Sequence, residues 1–367
     1  MRAAADSFRL PRSRRVGRPR CAAAAVLACA LLATLLCGRA FADDAPAAAF
    51  AETIRTLAAF GDRSTGAEGN GRAAAYLRSE LEALFPGAVA TQAFTVPVIR
   101  AGDGTLSVPG RAGELRLRAV AGNALTPPAV PAPGLSGPLV YVGRGELAEL
   151  NGRPVEGAIL LMELDSGRAW LTAADLGAGA LVYIDRGGSP RTVFEDKLEL
   201  SPLRFPRFWA TAEEIAHVLG DVSAAPGGIV ADAAGIRAEA AWENAASENI
   251  TCLIPGTSAE RRKELLVVEA FYDSTAQVAG LAPGADEAMG AATLLQLARA
   301  LKERPPERTV LLAATSGHAQ ALAGLRELVW TLTARSKDLR DARSDLRRAV
   351  QRARTTQDAL ESARFDG

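Results

Sequence analysis

Short, continuously apolar runs alternate with stretches of helical periodicity over most of this chain, and that alternation constrains its fold more than any other feature. Leu139-Val140-Tyr141-Val142 and residues 158–162 and 180–184 have the length of buried strands, while residues 170–176 and 212–219 repeat apolar side chains at helical spacing. A second block repeats the pattern. Residues 249–254 read as a strand, Thr257-Ser258-Ala259-Glu260 as a helix-capping box, and 265–271 as a buried strand. Residues 286–303 follow as a helix with Met289, Ala292, Leu295 and Leu297 inward, and 309–314 as another buried strand. Apolar strands separated by helices favour a largely parallel sheet covered on both faces.

The N-terminal part has a different texture. Residues 49–60 and 68–85 carry Ile54, Leu57 and Phe60, then Tyr76, Leu77, Leu81 and Leu84, at helical spacing, joined by the turn-forming Gly61-Asp62-Arg63-Ser64-Thr65-Gly66. Residues 88–123 alternate as strands do, and the proline-rich stretch 126–134 breaks the chain and marks a domain boundary. With 367 residues and 49% hydrophobic content the chain has material for two or three domains, and this composition excludes a disordered or collagenous protein.

The first 42 residues hold eight of the 42 basic residues and one of the 42 acidic ones, so the remainder is net −7. An acidic body argues against nucleic acid as a partner, which needs a clustered basic face. Six arginines between Arg9 and Arg20 precede the uncharged run 21–38, and Ala40-Phe41-Ala42 supplies a small-x-small cleavage pattern. The expectation is a signal peptide over 1–42 and export to the periplasm or beyond, with a membrane anchor formed by 21–38 as the alternative. Cleavage removes Cys21, Cys29 and Cys37 and leaves Cys252, which lies in an apolar run and reads as a buried hydrophobe. His217 lies beside Glu213 and Glu214 and reads as part of a solvated helix face.

Beyond residue 327 Leu339, Leu346, Ala353 and Leu360 recur every seven residues, with Ala342, Ala349, Thr356 and Ala363 at the second heptad position. This predicts an amphipathic, coiled-coil-like helix. Residues 335–364 carry nine basic and five acidic groups, and pairing them gives a homodimer, whereas folding back gives a packed C-terminal helix.

The order of these segments resembles the secreted zinc-dependent exopeptidases of the aminopeptidase type that carry an inserted protease-associated domain. The likeness rests on residues 60–77, on 137–235, on Glu248-Asn249-Ile250 through Gly256, and on Phe271-Tyr272-Asp273-Ser274, Gly284-Ala285-Asp286 and Gly317-His318-Ala319-Gln320 in that order. It implies an α/β fold with a mostly parallel sheet flanked by helices, an inserted small β-rich domain and a long C-terminal helix. Its divisions fall at 1–42, 43–133, 134–240, 241–326 and 327–367.

Such a family needs two zinc ions held by imidazoles and carboxylates, one carboxylate bridging, and a free carboxylate as general base. Carried over by position, Phe271 stands at the ligand-histidine position and Asp273 at that of the carboxylate orienting it. Asp286 stands at the bridging position, His318 at the general-base position and Ala319 at the ligand-glutamate position. Phenylalanine and alanine bind no zinc. A later aspartate and histidine have no counterpart before Gly367, and a continuation of the chain carrying a strand with an aspartate and a later histidine would revive the enzymatic reading. Asp286 after Pro283-Gly284-Ala285 also suits a helix cap, Asp273 a turn, and His318 a metal ligand or base.

Three functions remain open at this point. One is a degenerate exopeptidase that binds peptide termini or a partner without hydrolysis. A second is an active enzyme with a rearranged zinc site drawing on Glu269 or Glu287. The third is an assembly protein working through the inserted domain and the basic helix.

Overall fold

The computed structural model describes residues 45–123, 126–190 and 192–362, and the expected signal segment lies outside them. The chain divides into two compact units, Met1–Ala49 and Phe50–Gly367. Of the first, residues 45–49 are described, and they are helical.

Helices α1 (Ala45–Ala59) and α2 (Glu68–Leu84) occupy the expected stretches. Gly69 is required where α2 begins, because a Cβ there would meet the carbonyl oxygens of Asp62 at 2.2 Å and Phe60 at 2.7 Å. Strands β1 (Val89–Ala101), β2 (Gly104–Ser107), β3 (Leu115–Ala119), β4 (Val130–Tyr141), β5 (Ile159–Glu163), β6 (Ala180–Asp185), β7 (Arg207–Thr211), β8 (Ile229–Ala238) and β9 (Ala240–Ile254) follow. Helix α3 (Ala169–Asp175) lies between β5 and β6, and α4 (Ala212–Leu219) after β7. Thr211 caps α4 by accepting from the Glu214 backbone N–H, and His217 lies exposed on its outer face.

Seven strands close into a barrel in the order β2-β3-β7-β6-β5-β4-β8. Leu106, Leu117, Ile159, Val182, Phe208 and Ile236 fill one buried cluster, and Leu160, Met162, Trp170, Tyr183 and Trp209 a second. The barrel strands start at residue 104, so β2 and β3 join it from before the proline-rich break.

Strands β10 (Leu265–Phe271) and β11 (Thr309–Thr315), with helix α5 (Ala288–Glu303) between them, complete a four-stranded sheet in the order β1-β9-β11-β10. The expected mostly parallel sheet is corrected to a mixed one. β10 and β11 pair in parallel, but β9 leaves the barrel and runs back antiparallel to β1 over thirteen residue pairs and antiparallel to β11. Ile250, Cys252, Ile254, Val310, Leu312 and Ala314 face α2 and α5 with Leu77, Leu81, Leu294 and Leu295. Burial pushes the Cys252 thiol up to about 11, which leaves it an unreactive core group.

Three local expectations change. Among the described strands β10 lies at the edge of its sheet, and its Leu265, Leu266 and Val267 are exposed rather than buried. Met289 is half-exposed on α5 rather than inward with Ala292 and Leu295. The Thr257–Glu260 box opens no α-helix: a single 3₁₀ turn at Arg261–Lys263 follows, started by Ser258, whose hydroxyl accepts from Arg261 N–H at 3.2 Å. Helices α6 (Ala323–Thr333) and α7 (Ser336–Ser362) end the described chain, and α7 buries none of its residues. Among the described residues no helix is long and apolar enough to cross a membrane.

Candidate functional site

The site gathers at the ends of β10 and β11, where the turn after α1, the loop 272–287 and the loop 316–322 meet. Asp273, two residues beyond β10, is buried. Its Oδ2 accepts from the Thr65 hydroxyl at 2.8 Å and from the backbone N–H groups of Gly317 at 2.9 Å and His318 at 3.0 Å. Its Oδ1 is buried with no hydrogen-bond partner. Burial pushes the Asp273 carboxyl above the usual carboxylate range, and the Thr65, His318 and Gly317 donors pull against it.

The loop that supplies those N–H groups is held tightly. Gly317 has φ +77°, and a Cβ there would lie 3.0 Å from the Cβ of Ala323, so only glycine suits the position. Asn249 donates to Gly324 O at 2.7 Å and accepts from Ser316 N–H, and Asn70 donates to Ser316 Oγ at 3.1 Å. Ala321 and Leu322 follow with φ of 55° and 58°. Two consecutive non-glycine residues in the left-handed region store strain of roughly 1–3 kcal/mol each, and such strain clusters at functional sites.

Arg63 is fully buried and within the fields of Glu287, Asp273 and Asp286. Its guanidinium donates to the carbonyl oxygens of Tyr272 at 3.2 Å, Gly284 at 3.0 Å and Pro283. Burial pulls its pKa below the ordinary value, and the fields of Glu287, Asp273 and Asp286 oppose that. Asp286 thus lies within the field of a buried cation, exposed and just before α5, whose preceding residue is Glu287. Glu287 accepts from the Thr275 backbone N–H with both oxygens.

The remaining positions are brought together differently. The rings of Phe271 and His318 stack with centroids 3.9 Å apart and planes 19° from parallel. Ala319 is exposed beside His318, and Glu269 accepts from the Thr315 hydroxyl one strand away. Sequence reasoning passed over Arg63, Thr65, Asn70, Asn249 and Gln320. Arg63 and Thr65 sat in a stretch read as a turn, and what distinguishes them is contact with loops more than 200 residues away.

These residues do not fit a pair of zinc ions. Among the described residues no three or more His, Cys, Asp or Glu side chains stand close enough to share a metal. The orphaned Asp273 Oδ1 is the clearest sign. In the motif that the chain resembles, a ligand imidazole would donate to this carboxylate, and Phe271 has no donor to give. Positive charge among Asp273, Asp286 and Glu287 comes instead from the Arg63 guanidinium.

Residues 249–342 match the model of Peptidase family M28. No curated protein sequence matches the chain. In fold it is similar to a structure of BSAP, a zinc aminopeptidase from Bacillus subtilis, with 24% identity and a TM-score of 0.54 over 79% of this chain and 66% of that one. A second structure of BSAP gives 23% identity and a TM-score of 0.53 with the same coverage. The chain therefore spans a little under two thirds of the length of the chains it resembles, and over that span its fold is zinc-exopeptidase-like.

Proposed function

We propose that this protein is an exported, aminopeptidase-type exopeptidase relative that retains the fold and a cleft for peptide termini but has lost co-catalytic zinc hydrolysis. The observation that carries this reading is the Phe271–His318 stack beside the unpartnered Asp273 Oδ1. An aromatic ring takes the position of the first ligand, and the side chain at the base position lies against it. Phe271 at the ligand-histidine position, Ala319 at the ligand-glutamate position and His318 in place of the base carboxylate remove the side chains on which co-catalytic hydrolysis depends. The barrel corresponds, in this reading, to a protease-associated domain.

Zinc analysis after dialysis tests the reading together with hydrolysis of aminoacyl 4-nitroanilides. Well under one zinc per chain and no release above a buffer blank are expected; two zincs per chain, or turnover abolished by a chelator, would overturn it. The triple variant Phe271→His, His318→Glu, Ala319→Glu should still fold, since all three positions are at least partly exposed.

For helix α7 the partner we assign is a second copy. Leu339, Leu346 and Leu360 are 50%, 66% and 63% exposed on one seam. An antiparallel pairing that sets Leu346 against Ala349 also brings Asp345 of one copy beside Arg352 of the other, twice over.

A further inference from the structure

Beside Thr65 and Gln320 a cleft of about 540 Å³ opens between β1, the segment 119–122 that follows β3, and the loops that carry the site. That volume lies within the range of small-molecule and peptide-end sites, roughly 300–1,000 Å³. Its walls are largely apolar, with Pro97 and Ile99 of β1 reaching the surface there, and the Trp242 side chain stands half-exposed at its side. The charged side chains that line it are Arg100 and Arg326; no aspartate or glutamate lines it. Arg100 donates through Nε to Glu243 at 2.6 Å and through Nη2 to Thr65 O at 3.1 Å. Arg100 is thereby paired with Glu243, whereas Arg326, exposed on α6, has no carboxylate bonded to it among the described residues and is the cation of the lining left to meet an anion.

An aminopeptidase must hold the free ammonium of a peptide, which calls for carboxylate acceptors, and here guanidiniums would repel it. We infer that this cleft binds a ligand bearing a terminal carboxylate on an apolar body, such as the C-terminal end of a peptide, with Arg326 as the anion-recognising side chain and the Pro97, Ile99 and Trp242 surface taking the apolar part. A planar guanidinium fork suits a carboxylate in a way that an ammonium ligand cannot exploit. The inference rests on the cleft still receiving peptide ends, as proposed above, and it makes the favoured end the opposite one from that of an aminopeptidase.

The test uses the full chain in the presence of a chelator, with two probes of equal apolar content: N-acetyl-L-leucine, which has a carboxylate and no amine, and L-leucinamide, which has an amine and no carboxylate. Binding is followed by ligand-observed NMR and by tryptophan fluorescence, with Trp242→Phe identifying the reporter. N-acetyl-L-leucine is expected to bind at least about tenfold more tightly than L-leucinamide, Arg326→Ala to weaken it about tenfold, and Arg326→Lys to recover part of the loss. Equal or tighter binding of L-leucinamide, no effect of Arg326→Ala, or no binding of either probe at millimolar concentration would overturn the inference. Because hydrolysis is read separately, a chain that cleaves nitroanilides yet prefers N-acetyl-L-leucine refutes the functional reading alone, and one that cleaves nothing yet prefers L-leucinamide refutes this inference alone.

Discussion

Arg63 offers the sharpest energetic test of how the site is held. Its guanidinium is fully buried and donates to three carbonyl oxygens, two of them in the loop that positions Asp286. Replacing it with leucine keeps the apolar stem but leaves those carbonyls unpaired and the carboxylates Asp273, Asp286 and Glu287 without the charge that faces them. Removing one partner from a buried charged cluster costs about 3–5 kcal/mol, because the opposing groups stay desolvated. For a unit of this size that corresponds to a fall in Tm of roughly 6–10 °C, at about 2 °C per kcal/mol. Arg63→Lys retains charge but puts its donors on one atom, so fewer carbonyls are reached, and about half of the loss is expected. Urea unfolding followed by circular dichroism reads both variants against the wild type. If Arg63→Leu falls within about 1 kcal/mol of wild type, the guanidinium is not what organises the carboxylates.

Two further outcomes are expected. Asp273 has a raised carboxyl pKa through burial, so the folded chain holds its proton more strongly than the unfolded one. Its contribution to stability is then fully present below the unfolded value, about 3.9, and is lost as pH rises through the raised folded value; Asp273→Asn should flatten that part of the stability–pH curve measured by urea midpoints, and an unchanged slope would count against it. Sedimentation at micromolar concentration should show a dimer for the intact chain and a monomer for a version ending at Leu332, with each seam Leu→Ala weakening the dimer by about 2–5 kcal/mol. A concentration-independent monomer would remove the pairing of α7.

The parts of the fold that were legible in the sequence are those that local pattern dictates. The apolar runs at 139–142, 158–162, 180–184 and 309–314 become strands because a continuous apolar run of that length has few other uses, and Ile54 to Leu84 shows its helices through spacing alone. Strand direction was not legible. The apolar run of β9 would pair equally well either way, and its antiparallel course is set by where the barrel returns the chain beside β1. For the same reason β10 reads as interior from its composition, although its second neighbour is missing among the described strands. At the site, Phe271 and Ala319 stood out because they cannot ligate metal, which is a property of the residue itself. The burial of Arg63, by contrast, depends on carbonyl groups at positions 272, 283 and 284, and nothing in a turn sequence announces them.

The open edge of β10 carries a consequence in symmetry. Among the described strands the four-stranded sheet ends in β1 on one side and in β10 on the other, two unlike edges. If two copies meet through β10 alone, like edge to like edge, the contact is two-fold and closes at two chains. If β10 of one copy meets β1 of the next, the contact is head-to-tail, and it gives a ring where the rotation closes and a growing filament where it does not. Glu269 is the lone charge within Leu265–Phe271, and in a like-edge pairing it faces its symmetry mate or a close neighbour. Its carboxylate therefore burdens the closed pairing more than the open one, and neutralising it would shift the balance between a finite pair and a growing chain toward the pair.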